Sequence, residues 1–264
     1  MEIMSTLLCS PYKACDFTVE VEEGRDIVVL QLTDPQIIDA AQARREDRLD
    51  AAEKVYWATD KMEERCYGYM RETILAVNPD LILMTGDLVY GEFDDNGTAF
   101  LSLIEFMEGF EIPWAPIFGN HDNETAKGAK WQCQQLENAE HCLFKKGDVT
   151  GNGNYTVGLV QGGELKRAFI MLDTHGCLRS GGLITDQVDW FTDEAAKIKN
   201  SAPEANLSFV MHIQPMVFKD AYAKYGFTNS GTSSSPINID KIDVRIEGDF
   251  GYLGKDLKTP WDAN

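Results

Sequence analysis

The sequence of 264 residues has few basic side chains and no cysteine pair of the CxxC type. Its 24 Lys and Arg stand against 43 Asp and Glu, which gives a formal net charge of −19. Such a charge repels nucleic-acid backbones and anionic membranes, so we expect neither as a partner. Without CxxC pairs no thiolate zinc or dithiol redox site is expected, and the six cysteines are interpreted as reduced, mostly buried thiols.

Long hydrophobic runs are also missing. None approaches the roughly 20 residues that span a bilayer. The first residues, MEIMSTLLCSPYKACDF, lack the basic region and long apolar core of a signal peptide, so we expect a cytoplasmic protein. A G-x-S-x-G nucleophile motif is absent, and no cysteine follows a strand beside a basic residue, Cys177 being the nearest case. A serine or cysteine hydrolase is therefore poorly supported, and the oligomeric state is not predicted.

Apolar segments alternate with amphipathic ones, which is typical of one α/β domain, here spanning 1–264. The nearly continuous apolar composition of several strands predicts that they are buried on both faces. We predict strands over 17–22, 27–32, 81–85, 112–118, 151–160, 166–173 and 205–212, and helices over 41–77, 97–109, 124–139 and 185–200.

Polar residues stand just beyond the ends of four predicted strands. They are Asp34, Asp87, the pair Asn120 and His121, and His212. Each alone is also compatible with a turn or with a hydrogen-bonded core side chain. Because ligands of α/β sheets bind outside the carboxyl ends of the strands, the ordered set favours one shared crevice.

The chemistry of this set suits metal ions. Carboxylates, a carboxamide oxygen and an imidazole are ligands of Mn, Fe or Zn. Two such metals, roughly 3.5–4 Å apart, activate a water molecule and clamp a phosphate oxygen. A carboxylate that bridges both metals is required, and Asp87 is the candidate.

The order of these residues resembles the calcineurin-like metallophosphoesterases, whose pattern is DxH, GDxx(D/Y), GNH(D/E), a later His and a final GHxH. The chain has TDPQ, GDLVY, GNHD and MHIQP at the corresponding points, within residues 27–218. Its GNGNYTVGL and IMLDT segments are also similar to the branch of purple acid phosphatase 29 and the yeast Dcr2-type phosphatases. The resemblance implies an α/β fold, a four-layer α/β/β/α sandwich of two mixed sheets.

The resemblance also implies a set of metal ligands. Asp34 and Asp87 hold a first metal, and Asp87, Asn120 and His212 hold a second. The cofactors are then two divalent or trivalent transition metals, Mn, Fe or Zn. Since Asp87 is common to both ligand sets, it is the expected bridging ligand.

Two residues of the GNHD motif, His121 and Asp122, are the catalytic candidates. The resemblance implies that His121 does not bind metal but faces the phosphate and stabilises it or protonates the leaving alkoxide. The substrate is then a small phosphorylated molecule or a phosphoprotein. Specificity is expected to come from loops such as 36–48, 88–98, 123–130 and 213–235.

The chain departs from the family pattern at the first metal. Gln36 replaces the histidine of DxH, and its neutral oxygen is a weaker ligand for a transition metal than imidazole. Tyr90 stands three residues after Asp87, as in the GDxxY motif of the purple acid phosphatases, which use this tyrosine as an iron ligand. Tyr90 either supplies the missing ligand or packs its ring beside the site.

The second departure is the missing GHxH. The remaining histidines, His141 and His175, both precede His212, and His175 is a candidate neighbour of the site because it follows the strand that ends at Asp173. We expect a C-terminally incomplete sandwich, in which the second metal site is better formed than the first. Two hypotheses follow, an impaired binuclear phosphoesterase or a non-catalytic descendant that binds a partner on the same scaffold.

Overall fold

The chain is described from a computed structural model over residues 14–39, 51, 62–174, 183 and 185–213. These residues form helices and strands in alternation, as the sequence predicted. The strands are β1 (Phe17–Val21), β2 (Val29–Leu32), β3 (Leu81–Thr85), β4 (Trp114–Ile117), β5 (Tyr155–Gln161), β6 (Glu164–Met171) and β7 (Asn206–Val210). The helices are α1 (Met62–Val77), α2 (Thr98–Glu108), α3 (Ala129–Asn138) and α4 (Thr185–Ser201).

The described strands form two sheets. One has the order β2-β3-β4 and is parallel throughout. The other has the order β1-β5-β6-β7 and is mixed, because β5 and β6 form an antiparallel hairpin while β1 and β7 pair in parallel with their neighbours. In the parallel sheet the carboxyl ends of all three strands therefore lie at one edge.

The two sheets share one hydrophobic core. Its buried side chains come from both, with Ile82 and Trp114 on the parallel sheet and Tyr155 and Phe169 on the mixed sheet. The Tyr155 hydroxyl donates a hydrogen bond of 2.6 Å to the Pro116 carbonyl, which joins the sheets directly. The sheets therefore pack face to face.

Helices cover the outer faces of the sheets. α1 and α2 pack on the parallel sheet through side chains such as Ile74. α4 packs on the mixed sheet through Ile198, in a second cluster with Ala168 and Ile170 of β6. Phe169 belongs to the core between the sheets, since successive side chains of a strand point to opposite faces. The layers follow in the order α/β/β/α, which confirms the predicted sandwich.

Local sequence explains where α1 ends. Pro79 disfavours helix in the residue before it, and the helix ends at Val77. Asn78 then takes a left-handed conformation, with φ of 47°, which asparagine tolerates better than most residues. The chain turns at this point into the fully buried strand β3.

Two predictions need correction: that the strands over 27–32 and 205–212 are buried on both faces, and that a helix begins near residue 124. β2 and β7 are not buried on both faces, and Phe209 in β7 is 50% exposed. Both strands lie at a sheet edge among the described strands, so one side lacks a neighbour. The helix predicted over 124–139 begins only at Ala129, because Asp122–Glu124 forms a separate 3₁₀ turn and the backbone of Gly128, with φ of 76° and ψ of 156°, is not helical. Much of the helix predicted over 41–77 lies outside the described residues.

The four described cysteines are free, and Cys15, Cys133 and Cys142 are buried. Burial raises the pKa of the Cys15 and Cys133 thiols to about 12, and that of Cys142 well above its ordinary value. Thiols held in the protonated form are poor nucleophiles. Among the described helices, none combines the length and apolarity that crossing a membrane requires.

Replacing Glu108 with glutamine is expected to destabilise the fold by about 2 kcal/mol. The Glu108 carboxylate, at the end of α2, accepts hydrogen bonds from Trp114 Nε1 at 2.7 Å and from the backbone nitrogens of Glu140 and His141. A carboxamide has one acceptor oxygen, so some donors lose their partner. Denaturant unfolding measures the change, and Glu105→Gln, an exposed position on the same helix, should stay within about 0.5 kcal/mol.

Candidate metal centre

Three potential ligands lie together at the carboxyl end of the parallel sheet. One carboxylate oxygen each of Asp34 and Asp87 and a ring nitrogen of His212 all lie within 4.8 Å of one another. Asp34 follows β2, Asp87 follows β3, and His212 follows β7 of the other sheet. Asp34 is exposed, His212 is half-buried and Asp87 is buried, so the group opens to solvent on the side of Asp34.

The segment of Asp34 and Gln36 is held beside the β3 end by backbone hydrogen bonds. Asp34 N donates to Gly86 O at 3.1 Å, and Gln36 N donates to Asp87 O at 3.0 Å. Asp34, Gln36 and Asp87 have φ of 51°, 44° and 50°, in the left-handed region. This region costs side chains of this kind about 1–3 kcal/mol each, a cost that proteins tend to retain at functional sites.

Asp87 is the most engaged of the candidate ligands. Its Oδ1 accepts a hydrogen bond of 2.8 Å from the backbone nitrogen of His121, and its Oδ2 accepts one of 3.1 Å from Gln36 Nε2. Burial by itself raises the pKa of Asp87, but His212 and the hydrogen bond from His121 hold the pKa below its ordinary value. Asp87 therefore remains an anion, as a metal ligand must.

His212 is oriented by a backbone carbonyl. Its Nδ1 lies 2.8 Å from Thr85 O and donates a hydrogen bond to it. The other nitrogen, Nε2, lies 3.2 Å from Asn120 Oδ1 and 3.5 Å from Asp87 Oδ1. Histidine ligands of metals are commonly oriented in this way, by a carbonyl on the nitrogen that does not bind the ion.

The charge state of His212 follows from these contacts. Burial lowers its pKa, but the nearby Asp87 carboxylate raises it more, to about 9. The backbone of the next residue, Ile213, is fixed by a hydrogen bond of 3.2 Å to Thr174 Oγ1. In the metal-free protein Nε2 therefore carries a proton at neutral pH, beside Asn120 Oδ1 and Asp87 Oδ1.

Asp122 lies beneath the site and is fully buried. Its carboxylate accepts backbone hydrogen bonds from Val89 at 3.0 Å and Gly119 at 2.7 Å, and it thus links the loops that follow β3 and β4. Burial raises the pKa of Asp122 to about 7. The buried Asp122 side chain therefore holds the loop of Asp87 and the loop of Asn120 together.

The two residues predicted to complete the first metal site have other contacts. Gln36 donates its hydrogen bond to Asp87, as described above. The ring of Tyr90 stacks on the ring of His121, with 4.3 Å between the centroids and 23° between the planes. Their roles as metal ligands stay predictions, as do those of the other site residues. His175 lies outside the described residues.

Sequence reasoning missed one residue of the site, Glu124. Its Oε2 lies 2.8 Å from Nδ1 of His121, within the 3₁₀ turn that follows the GNHD motif. A carboxylate three residues after a histidine is a signal that could have suggested the pair, because one helical turn brings such side chains together. The His121 ring is thus contacted on one edge by Glu124 and on one face by Tyr90.

The donor set fits a divalent transition metal. It offers two carboxylates, an imidazole whose second nitrogen is already engaged, and the nearby oxygen of Asn120. These are the oxygen and nitrogen ligands that Mn, Fe and Zn accept. The residues present therefore match what such an ion requires.

Gly119 permits the close approach of this loop to Asp87. A Cβ at Gly119 would lie 2.2 Å from Asp87 Oδ1 and 2.3 Å from Asp87 N. Gly119→Ala is expected to cost about 1–3 kcal/mol of folding free energy and about tenfold in Mn²⁺ affinity. Thermal unfolding and a metal titration measure the two effects. Gly68→Ala is the matched control, because a Cβ there meets nothing within 4 Å.

Comparison with known proteins identifies the family of the chain. Residues 27–248 match the sequence model of the calcineurin-like phosphoesterases. The chain belongs to the calcineurin-like phosphoesterase family. Asp34, Asp87, Asn120 and His212 all fall within the matched range. Family membership supports metal-dependent phosphoesterase chemistry in general and divalent metal ions as cofactors.

Curated relatives of this calcineurin-like phosphoesterase place it in the Dcr2 and purple acid phosphatase branch. It is 25% identical over 191 residues to an uncharacterized protein of Schizosaccharomyces pombe, covering 69% of this chain and 36% of the relative. It is 24% identical over 161 residues to the phosphatase DCR2 of Saccharomyces cerevisiae, and the match covers 56% of this chain and 28% of DCR2. A third relative, probable inactive purple acid phosphatase 14 of Arabidopsis thaliana, is 39% identical over 59 residues, covering 22% and 15%. The matches thus span between 15% and 36% of the length of these relatives.

Proposed function

We propose that the chain is a metal-dependent phosphoric ester hydrolase that works at a binuclear centre on a small phosphorylated molecule or a phosphoprotein. The observation that carries the proposal is the group of Asp34, Asp87 and His212, whose ligand atoms lie within 4.8 Å of one another. Three strand ends of two sheets converge there. A phosphatase, DCR2, among the relatives supports the same reaction class.

The residues of the centre have distinct roles in this proposal. Asp34 and Asp87 hold the first metal, and Asp87, Asn120 and His212 hold the second, which is the better formed. Bound metals of this kind supply an activated water and neutralise charge on the phosphate. The assignment is supported by Asn120 Oδ1, which lies 3.2 Å from Nε2 of His212.

The GNHD motif supplies the remaining chemistry. His121 protonates the oxygen of the leaving group, so that the P–O bond breaks to release an alcohol rather than an alkoxide. Asp122 acts through the backbone: its two hydrogen bonds fix the loops that carry Asp87 and Asn120. Because its side chain is fully buried, we propose that this predicted catalytic residue acts through the two loops and not by contact with the substrate.

The test is hydrolysis of 4-nitrophenyl phosphate by the purified chain, first stripped with a chelator and then loaded with Mn²⁺, Fe²⁺ or Zn²⁺. We expect activity that requires added metal and a stoichiometry of up to two ions per chain by elemental analysis. Inactivity with every metal, together with tight metal binding, would overturn the catalytic proposal.

A second candidate function is a non-catalytic protein that binds a partner on the same scaffold. The observation that favours it is Gln36, which stands in the position of a ligand histidine and donates its hydrogen bond to Asp87 instead. A relative named as a probable inactive purple acid phosphatase points the same way. In this case the purified chain should contain no metal and should gain none on loading.

Gln36→His is expected to raise Mn²⁺ affinity about tenfold if the site is a working metal centre, because imidazole is a better ligand than a carboxamide. Histidine also tolerates the left-handed backbone of this position, with its φ of 44°. Isothermal titration calorimetry measures the change. Gln134→His, at an exposed position of α3, controls for adventitious binding by a new histidine. No gain over this control would favour the non-catalytic function.

A further inference from the structure

Four contacts restrain His121, two on its backbone and two on its ring. Its backbone nitrogen donates to Asp87 Oδ1 at 2.8 Å, and its backbone carbonyl accepts from Gly91 N at 3.1 Å. The ring face stacks on Tyr90 at 4.3 Å between centroids, and Nδ1 lies 2.8 Å from Glu124 Oε2. Both the position and the rotation of the ring are therefore set by its neighbours.

The contact with Glu124 determines which ring nitrogen is left for a substrate. A carboxylate only accepts hydrogen bonds, so Nδ1 must carry the proton that it donates to Glu124. Nε2 makes no hydrogen bond with any residue in the described part of the chain. The side chains of His121 and Glu124 are 23% and 25% exposed, so the pair is partly shielded from water but reachable from outside.

We propose that Glu124 is a positioning residue, which holds His121 in the tautomer and orientation that leave Nε2 to face the leaving group of a phosphate ester. This inference rests on the proposed function. Glu124 reaches His121 from the same 3₁₀ turn, where its own backbone nitrogen donates to the His121 carbonyl at 3.2 Å. The pair is therefore built by local sequence and needs no other strand of the sheet.

In this proposal His121 passes one proton to the leaving oxygen during hydrolysis of the ester. A water oxygen forms a bond to phosphorus while the bond between phosphorus and the leaving oxygen breaks with its electron pair. The imidazolium of His121 gives its Nε2 proton to that oxygen, which leaves as an alcohol. The ring is then neutral with its remaining proton on Nδ1, shared with Glu124, and it is recharged by the proton that the attacking water releases to solvent.

The kinetic test compares two substrates with Glu124→Ala. Ethyl phosphate has a poor leaving group that needs a proton, whereas 4-nitrophenolate leaves readily without one. We expect kcat to fall about thirtyfold with ethyl phosphate and less than about threefold with 4-nitrophenyl phosphate, at nearly unchanged KM. Equal losses with both substrates would show that Glu124 only supports the fold. Glu124→Gln, which preserves size, replaces the alanine variant if that one does not fold, and Glu72→Gln at an exposed site is the control.

A second readout does not depend on activity. The chain has four histidines, so nitrogen NMR signals of the His121 ring can be assigned with His121→Gln. We expect the neutral ring to carry its proton on Nδ1 in the wild type and to lose this preference in Glu124→Ala. An unchanged tautomer would overturn the inference. If the wild type hydrolyses neither ester, the proposed function fails, while the tautomer still decides the role of Glu124.

Discussion

Replacing Asp87 with asparagine is expected to abolish hydrolysis and to lower Mn²⁺ affinity by about 100-fold or more. Removal of a residue that only supports a metal ligand commonly lowers metal affinity or activity 10–100-fold. Asp87 is a candidate ligand itself, so the expected loss is larger. Its carboxylate contacts Gln36, the His121 backbone and the region of His212 Nε2. The substitution removes the one buried negative charge of the candidate ligand group. Elemental analysis and a 4-nitrophenyl phosphate assay measure both effects.

The control for this prediction is Asp189→Asn, which removes a carboxylate from the exposed surface of α4. It should leave both metal content and activity unchanged. Thermal unfolding in chelator separates a folding defect from a binding defect, since asparagine preserves the size of the aspartate side chain. Retention of full metal content by the Asp87 variant would contradict the assignment of Asp87 as a ligand.

Metal affinity is expected to fall steeply as the pH is lowered, by about 100-fold from pH 8.5 to pH 6.5. The cause is the raised pKa of His212, about 9, which Asp87 produces. Below this pH an ion must displace the Nε2 proton, and each pH unit then costs about tenfold. Calorimetry in two buffers of different ionisation enthalpy should count about one proton released per ion at pH 7.

The same pKa predicts how the metal-free fold responds to pH. A histidine whose pKa is raised on folding contributes stability that is fully present below its ordinary pKa of 6.5 and is lost as the pH rises through about 9. Asp87, with a lowered pKa, contributes stability above the ordinary value of 3.8 that is lost as the pH falls below it. His212→Gln is the control: it should reduce the slope of stability against pH above about pH 7, where Asp122 titrates, and up to about pH 9. An unchanged slope in this range would show that another group causes it.

The fold class and most elements were predictable from patterns within single segments. β3 is buried along its whole length, and its apolar run LILMT predicted that. The exposure of β2 and β7 was not predictable, because it depends on which strands are neighbours in each sheet. The hydrogen bonds that the Asp122 carboxylate accepts from the backbone of Val89 and Gly119 were not predicted either. Such contacts join separate loops of the chain and leave no local pattern.

Some features of the candidate site were also predictable from sequence, and others were not. The residues at strand ends were found because strand ends are visible in sequence and the motifs are ordered. The left-handed backbone of Asp34, Gln36 and Asp87 was not foreseen, since these residue types adopt it only where surrounding hydrogen bonds impose it. The partner of His121 was also missed, although Glu124 stands only three residues away.

The candidate metal ligands come from both sheets, and this links metal binding to the stability of the fold. Asp34, Asp87 and Asn120 follow strands of the parallel sheet, whereas His212 follows a strand of the mixed sheet. An ion bound by both sets acts as a cross-link between two halves of the sandwich, and its binding energy is added to folding, by about 2.7 kcal/mol at a concentration 100 times Kd. Under the proposed function, the folded fraction of the chain would therefore rise with the free metal concentration, and a chelator would lower the folded fraction together with hydrolysis.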